Sequence, residues 1–194
     1  MLRIHPARII LQCALTVVAS GVILFAPAQT QEPTQEDLKD RLAPFVPSPP
    51  RVVDAMLEIA HVGKNDCVYD LGSGDGRIVI EAAQKYQARA VGVEIDDDLY
   101  QKSSARITAL GLEDRAKILH MNMYKVDLRP ATVVTLYLLT SVNERLKPIL
   151  ERDLRHGARV VTHDFKIPGW EPANSKVVMT ESGVSSRVFL YIRP

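Results

Sequence analysis

Two hydrophobic patterns alternate along the chain. Short, nearly continuous apolar runs (Val68-Tyr69 with Leu71, Ala90-Val91-Gly92-Val93, Lys117-Ile118-Leu119-His120, residues 133–139 and residues 158–162) read as strands, and the apolar residues 133–139 as one buried on both faces. Between them, apolar residues recur every three or four positions, as in Val53, Met56, Leu57 and Ala60, which is the period of a helix packed on one side. Helices are predicted from Pro50 to about Ala60, after Arg77 to about Tyr86, and from the Asp96-Asp97-Asp98 carboxylates to Leu110, with Gly111 as the stop. A further helix, capped by Ser141, is expected to end at His156-Gly157, with Pro148 kinking it or falling in its first turns. Two last strands, about Lys176–Thr180 and Arg187–Ile192, flank Glu181-Ser182-Gly183 as an antiparallel pair. Five strand–helix steps and a terminal hairpin predict an α/β fold: a doubly wound, mostly parallel seven-stranded sheet with a C-terminal antiparallel hairpin. A ligand belongs at the carboxyl ends of its central strands.

The first 28 residues break this rhythm. Arg3, His5 and Arg8 precede an uncharged, mostly apolar stretch over residues 9–25, and Ala26-Pro27-Ala28 follows. A basic start, an apolar middle and an A-x-A site describe a secretory signal peptide cleaved after Ala28. The alternative is an uncleaved anchor associating with a membrane through residues 9–25, and either way the domain is exported, to the periplasm or beyond. An organellar transit peptide fits less well, because the segment is apolar rather than rich in Arg and Ser. Residues 29–43 form an N-terminal segment with a short helix starting near Thr34, and residues 44–194 form the main domain.

Composition narrows the function by exclusion. The 194 residues carry a net charge of +1, and beyond residue 28 there are 22 basic and 23 acidic residues. That balance offers no general attraction to nucleic acid. Cys13 and Cys67 do not make a disulfide framework, and no metal or nucleophile motif of the H-E-x-x-H, C-x-x-C or G-x-S-x-G kind is present.

The chemistry concentrates in Asp70-Leu71-Gly72-Ser73-Gly74-Asp75-Gly76-Arg77, between a predicted strand and a predicted helix. Such a turn cradles a nucleotide against main chain, where a Cβ would clash. A dinucleotide site wants G-x-G-x-x-G, and Arg77 occupies the sixth position, so that reading fails. The pattern D-x-G-x-G-x-G is that of class I S-adenosylmethionine (AdoMet) methyltransferases. Gly72, Ser73, Gly74 and Gly76 are then cofactor-binding. Asp70 is placed to meet the cofactor's amino group, or else to bond its own turn. Glu94, at the end of the second strand, is placed to accept ribose hydroxyls. Asn122 has two readings, an amide for the adenine edge or a cap on its own turn. Arg77, a cation at a helix start, needs a partner, and Asp75 is two residues away.

The chain resembles the seven-strand protein-lysine methyltransferases that modify the ATP synthase c-subunit and the adenine nucleotide translocase. Pro44-Phe45-Val46-Pro47-Ser48-Pro49, the glycine loop through Ile80, Val91-Gly92-Val93-Glu94, and residues 157–161 leading to Phe165 and Pro168-Gly169-Trp170 carry the likeness. The resemblance implies that Phe45, Val46 and Pro47 close over the methionine end of AdoMet, although by sequence alone they read equally as a packing strip. It implies an acceptor channel near Thr140, Phe165 and Trp170, though a lone tryptophan beside a Pro-Gly turn also reads as core. The chain departs from the family at Asn122, where an acid is usual, and at Thr140-Ser141, where Pro-Ser is usual. The resulting expectation is methyl transfer from AdoMet to a protein lysine, without an obligatory triad or metal. A small-molecule or lipid methyltransferase and a catalytically idle AdoMet-binding module are the other readings.

Overall fold

The computed structural model describes residues 33–34 and 45–193. The predicted leader over residues 1–28 lies outside them, as does all but Thr34 of the short helix expected there. Helix α1 (Pro50–Ile59) precedes β1 (Cys67–Leu71), α2 (Arg77–Tyr86), β2 (Arg89–Glu94), α3 (Asp97–Ala109) and β3 (Ala116–His120). Then come β4 (Val133–Leu136), α4 (Thr140–Asp153), β5 (Arg159–His163), β6 (Asn174–Met179) and β7 (Ser185–Ile192). One sheet orders the strands 3-2-1-4-5-7-6. The first five run parallel, and β7 inserts antiparallel between β5 and β6, which is the expected mixed seven-stranded sheet with its terminal hairpin.

Strand β1 shows why both faces are covered. All five of its residues are buried. Val68 joins the core beneath α1, α2 and α3, with Val52, Met56, Val79, Ala82 and Ile107. Cys67, Tyr69 and Leu71, pointing the other way by the two-residue period, join the core beneath α4, with Val142, Leu146 and Leu150. No helix among the described residues is long and apolar enough to cross a membrane.

Three expectations change. The strand–helix alternation is incomplete: the β3–β4 connection holds only a 3-10 turn, Met123–Lys125, and no helix separates β5 from β6. Strand β4 ends at Leu136 rather than Leu139, so Tyr137 and Leu138 leave the sheet at its carboxyl edge. Helix α4 starts at Thr140 with Leu139, not Ser141, in the cap position. Pro148 lies in mid-helix on the exposed side, where water can satisfy the carbonyl that loses its donor.

Candidate active site

The carboxyl ends of β1 and β2 lie side by side, with Asp70 paired to Gly92 and Leu71 to Val93. The glycine turn folds back across them: Gly72 N and Ser73 N both donate to Val93 O, at 2.9 and 3.0 Å. Asp70 is 3 % exposed, and its Oδ1 accepts from Thr135 Oγ1 at 2.7 Å. Burial raises its pKa to about 7, against the Thr135 bond and with help from the charges on Glu94 and Asp75. A carboxyl held at the edge of ionisation in a buried site favours a cationic visitor.

Glu94 is also buried, and it organises the loops around it. Its Oε2 accepts from Gly74 N at 2.7 Å, and its Oε1 accepts from Ile95 N and Asp96 N, both at 2.9 Å. A carboxylate has about four lone-pair sites, and those of Glu94 gather the glycine turn and the start of α3 around one buried group. Asp96 caps α3 as its position implies, accepting from Leu99 N at 3.0 Å.

Residues 45–49 lie as a strap across this turn. A Cβ on Gly74 would sit 2.2 Å from Cε2 of Phe45, so only glycine lets the ring lie there. Arg77 forms the anchor. Its Nε and Nη2 donate to the two oxygens of Asp75 at 2.9 and 2.6 Å, and its Nη1 donates to Ser48 O at 2.7 Å. Burial opposes the charge on Asp75, but the Arg77 bonds outweigh it and hold that carboxyl below its usual range. The cation at the start of α2 is thus paired and used to fasten the strap.

Between strap, turn and strand ends opens a cleft of about 1090 Å³, mouth included. Phe45, Val46, Pro47, Asp70, Gly72, Ser73, Glu94 and Asn122 all line it. The hydroxyl of Ser73 is buried without a protein partner, the kind of orphaned group a ligand satisfies.

Other expected site residues fall elsewhere. Gly74 does not line the cleft, and its N–H goes to Glu94. Gly76 is a packing glycine with φ 76°: its missing Cβ lets Ser103 of α3 approach, and a Cβ would meet that side chain at 3.1 Å. Asn122 reaches the cleft while its Oδ1 accepts from Tyr124 N at 2.9 Å, so it caps its own turn, the second of its two sequence readings. Thr140 is exposed and Phe165 half-buried, and neither lines the cleft. Trp170 lies away from it, donating from Nε1 to Glu151 Oε1 at 3.0 Å beside Tyr191. Tyr137, Leu138 and Val142 also line the cleft. Sequence reasoning misses them because the apolar run reads as one strand to Leu139. The rank of apolar residues past a central strand's end is their signal.

A mostly parallel sheet with a glycine turn after β1 and buried acids at the ends of β1 and β2 defines a nucleoside-binding α/β fold of the methyltransferase kind. The family model described as the ANTKMT methyltransferase domain matches residues 70–174, and the chain belongs to that family. It is 50% identical over 151 residues to a protein-lysine N-methyltransferase of Saccharolobus islandicus (strain REY15A), covering 77% of this chain and 92% of that protein. It is 32% identical over 158 residues to the lysine N-methyltransferase of the ATP synthase c-subunit from Rattus norvegicus, covering 81% of this chain and 72% of that protein. Among solved structures, an RNA methyltransferase from Salinibacter ruber in complex with S-adenosyl-L-homocysteine matches with a TM-score of 0.71 and 46% identity, over 77% of this chain and 94% of that one.

Proposed function

We propose that the protein transfers a methyl group from AdoMet to the side-chain amine of a protein lysine. The observation that carries this reading is the buried pair Asp70 and Glu94 at adjacent strand ends beneath the glycine turn, in a chain of this family. The residues present fit the cofactor. Asp70 would face its amino group, Glu94 would take its ribose hydroxyls, and the Ser73 hydroxyl and the backbone at Gly72 would line its path. Phe45, Val46 and Pro47 would cover it, and Asn122 would border the adenine. AdoMet supplies an electrophilic methyl whose transfer leaves a neutral thioether.

The chain's part is alignment and desolvation, and alignment alone is worth several kcal/mol. A lysine amine must shed its proton from a pKa of about 10.4 before it can attack. The wall of Val46, Tyr137, Leu138 and Val142 is apolar but for one phenol, and such a wall disfavours the ammonium and lowers that pKa.

The curated relatives at 50% and 32% identity are named for lysine, which supports a protein acceptor. The Salinibacter structure, named for RNA, favours a second reading, an RNA acceptor. The near-even charge beyond residue 28 argues against it, because backbone phosphates call for an excess of Lys and Arg. Residues 1–28 we assign to export, as a cleaved signal or a membrane anchor, and mass spectrometry of the protein isolated from its cells tests this by the presence or loss of that segment. Calorimetry with AdoMet, followed by transfer of label to purified protein or RNA fractions, tests the activity. Absence of AdoMet binding would remove the proposal.

A further inference from the structure

One buried imidazole links two sides of the cleft. His163, the last residue of β5, is 1 % exposed. Its Nδ1 lies 3.0 Å from Ser48 Oγ on the strap. Its ring stacks on that of Tyr137, with centroids 3.8 Å apart and planes at 26°. Its Nε2 lies 3.3 Å from Asp164 Oδ2, a contact between charge and ring outside hydrogen-bonding geometry. Asp164 is itself fixed: it holds a left-handed φ of 57°, its N donates to Arg187 O at 2.7 Å, and its Oδ1 accepts from Arg187 N at 2.6 Å. A backbone conformation that costs energy persists where surrounding bonds over-determine it.

The carboxylate beside Nε2 favours the tautomer with its proton there, since a lone pair would face negative charge. Nδ1 is then the acceptor, and the Ser48 hydroxyl donates to it. Ser48 is 4 % exposed, and the two residues are 115 apart in the chain. Burying a hydroxyl and an imidazole is costly unless they pair, and an aliphatic pair would fill the space without that cost. The strap's other tether, Arg77 to Ser48 O, holds main chain only.

We propose that His163 is a positioning residue for methyl transfer. Through Ser48 it holds the Phe45–Pro47 strap down on Gly74, and through its ring face it sets the plane of Tyr137 in the cleft wall. The proposal rests on the methyl-transfer reading of this cleft. His163 does not line the cleft, so its influence passes through Ser48 to the cofactor side and through Tyr137 to the acceptor side.

The test uses the full chain with Ser48→Ala, Ser48→Thr and His163→Asn, each measured for AdoMet affinity by calorimetry and for kcat at saturating AdoMet. Ser48→Ala removes the strap bond, and because Ser48 also lines the cleft its effect is read beside that of His163→Asn, which leaves Ser48 in place; the Kd for AdoMet rises about tenfold in both. Ser48→Thr keeps the hydroxyl and restores the affinity. His163→Asn loses affinity and kcat together: the Ser48 hydroxyl loses its imidazole acceptor, and Tyr137 loses the ring behind it. A His163→Asn protein that binds AdoMet as tightly as wild type overturns the proposal, and so does a Ser48→Ala protein that does so or a Ser48→Thr protein that binds as weakly as Ser48→Ala. Wild-type protein that binds no AdoMet overturns the methyl-transfer reading and this proposal with it, so the two failures are told apart.

Discussion

Asp70 and Glu94 are both buried acids at strand ends, yet their surroundings give them opposite duties. Asp70 has one neutral hydroxyl bonded to it and a pKa of about 7. Its folded pKa is raised above the unfolded value, so its contribution to stability is full below about pH 4 and is lost as pH rises through about 7. Asp70→Asn should therefore melt higher than wild type at pH 8, by about 2–4 °C for each kcal/mol relieved, while losing AdoMet affinity; differential scanning fluorimetry with and without AdoMet checks both. For the wild type, affinity should rise with pH through about 7 as the carboxylate forms to meet the cofactor's amino group, which calorimetry across about pH 6–8 reads directly. Glu94 instead accepts three backbone N–H groups. Glu94→Ala orphans all three, and urea unfolding should show a loss of about 3 kcal/mol or more.

At the scale of elements, the strap and the glycine turn act as a pair. Gly74→Ala places a methyl where the Phe45 ring lies and strains a φ of 54°. It should weaken AdoMet binding about tenfold, and less in a Phe45→Ala background, where the ring no longer competes; a double-mutant cycle on Kd measures the coupling. The contrast between what is and is not legible in the chain falls along the same lines. The glycine turn, Asp70, the Asp96 cap and the Asp75–Arg77 pairing are local, and residue spacing carries them. The Ser48–His163 bond joins segments 115 residues apart, and no local pattern encodes it. Gly76 reads as a ligand glycine because a packing glycine looks the same in sequence; only the approach of Ser103 separates the two. Family likeness puts Trp170 near the acceptor channel, but the loop after β5 carries it to Glu151 and Tyr191 instead.

For the whole molecule, the doubly wound sheet concentrates the candidate chemistry at one edge, where β1, β2, β4 and β5 all end. The sheet is readable because its central strands β1, β4 and β5 are buried on both faces, whereas the missing helix between β3 and β4 is not, since a 3-10 turn leaves no period to read. The acceptor is a matter of the cleft wall rather than of the fold. Transfer of the methyl to a lysine side chain is the step on which the proposed function depends. It is tested most directly by incubating the protein with methyl-labelled AdoMet and an extract of its own cells, then digesting protein and RNA separately. Label is expected in protein, recovered as methylated lysine after hydrolysis and absent when Asp70→Asn protein replaces wild type. Label recovered in nucleotides, or in lipid or small molecules with none on lysine, would contradict it.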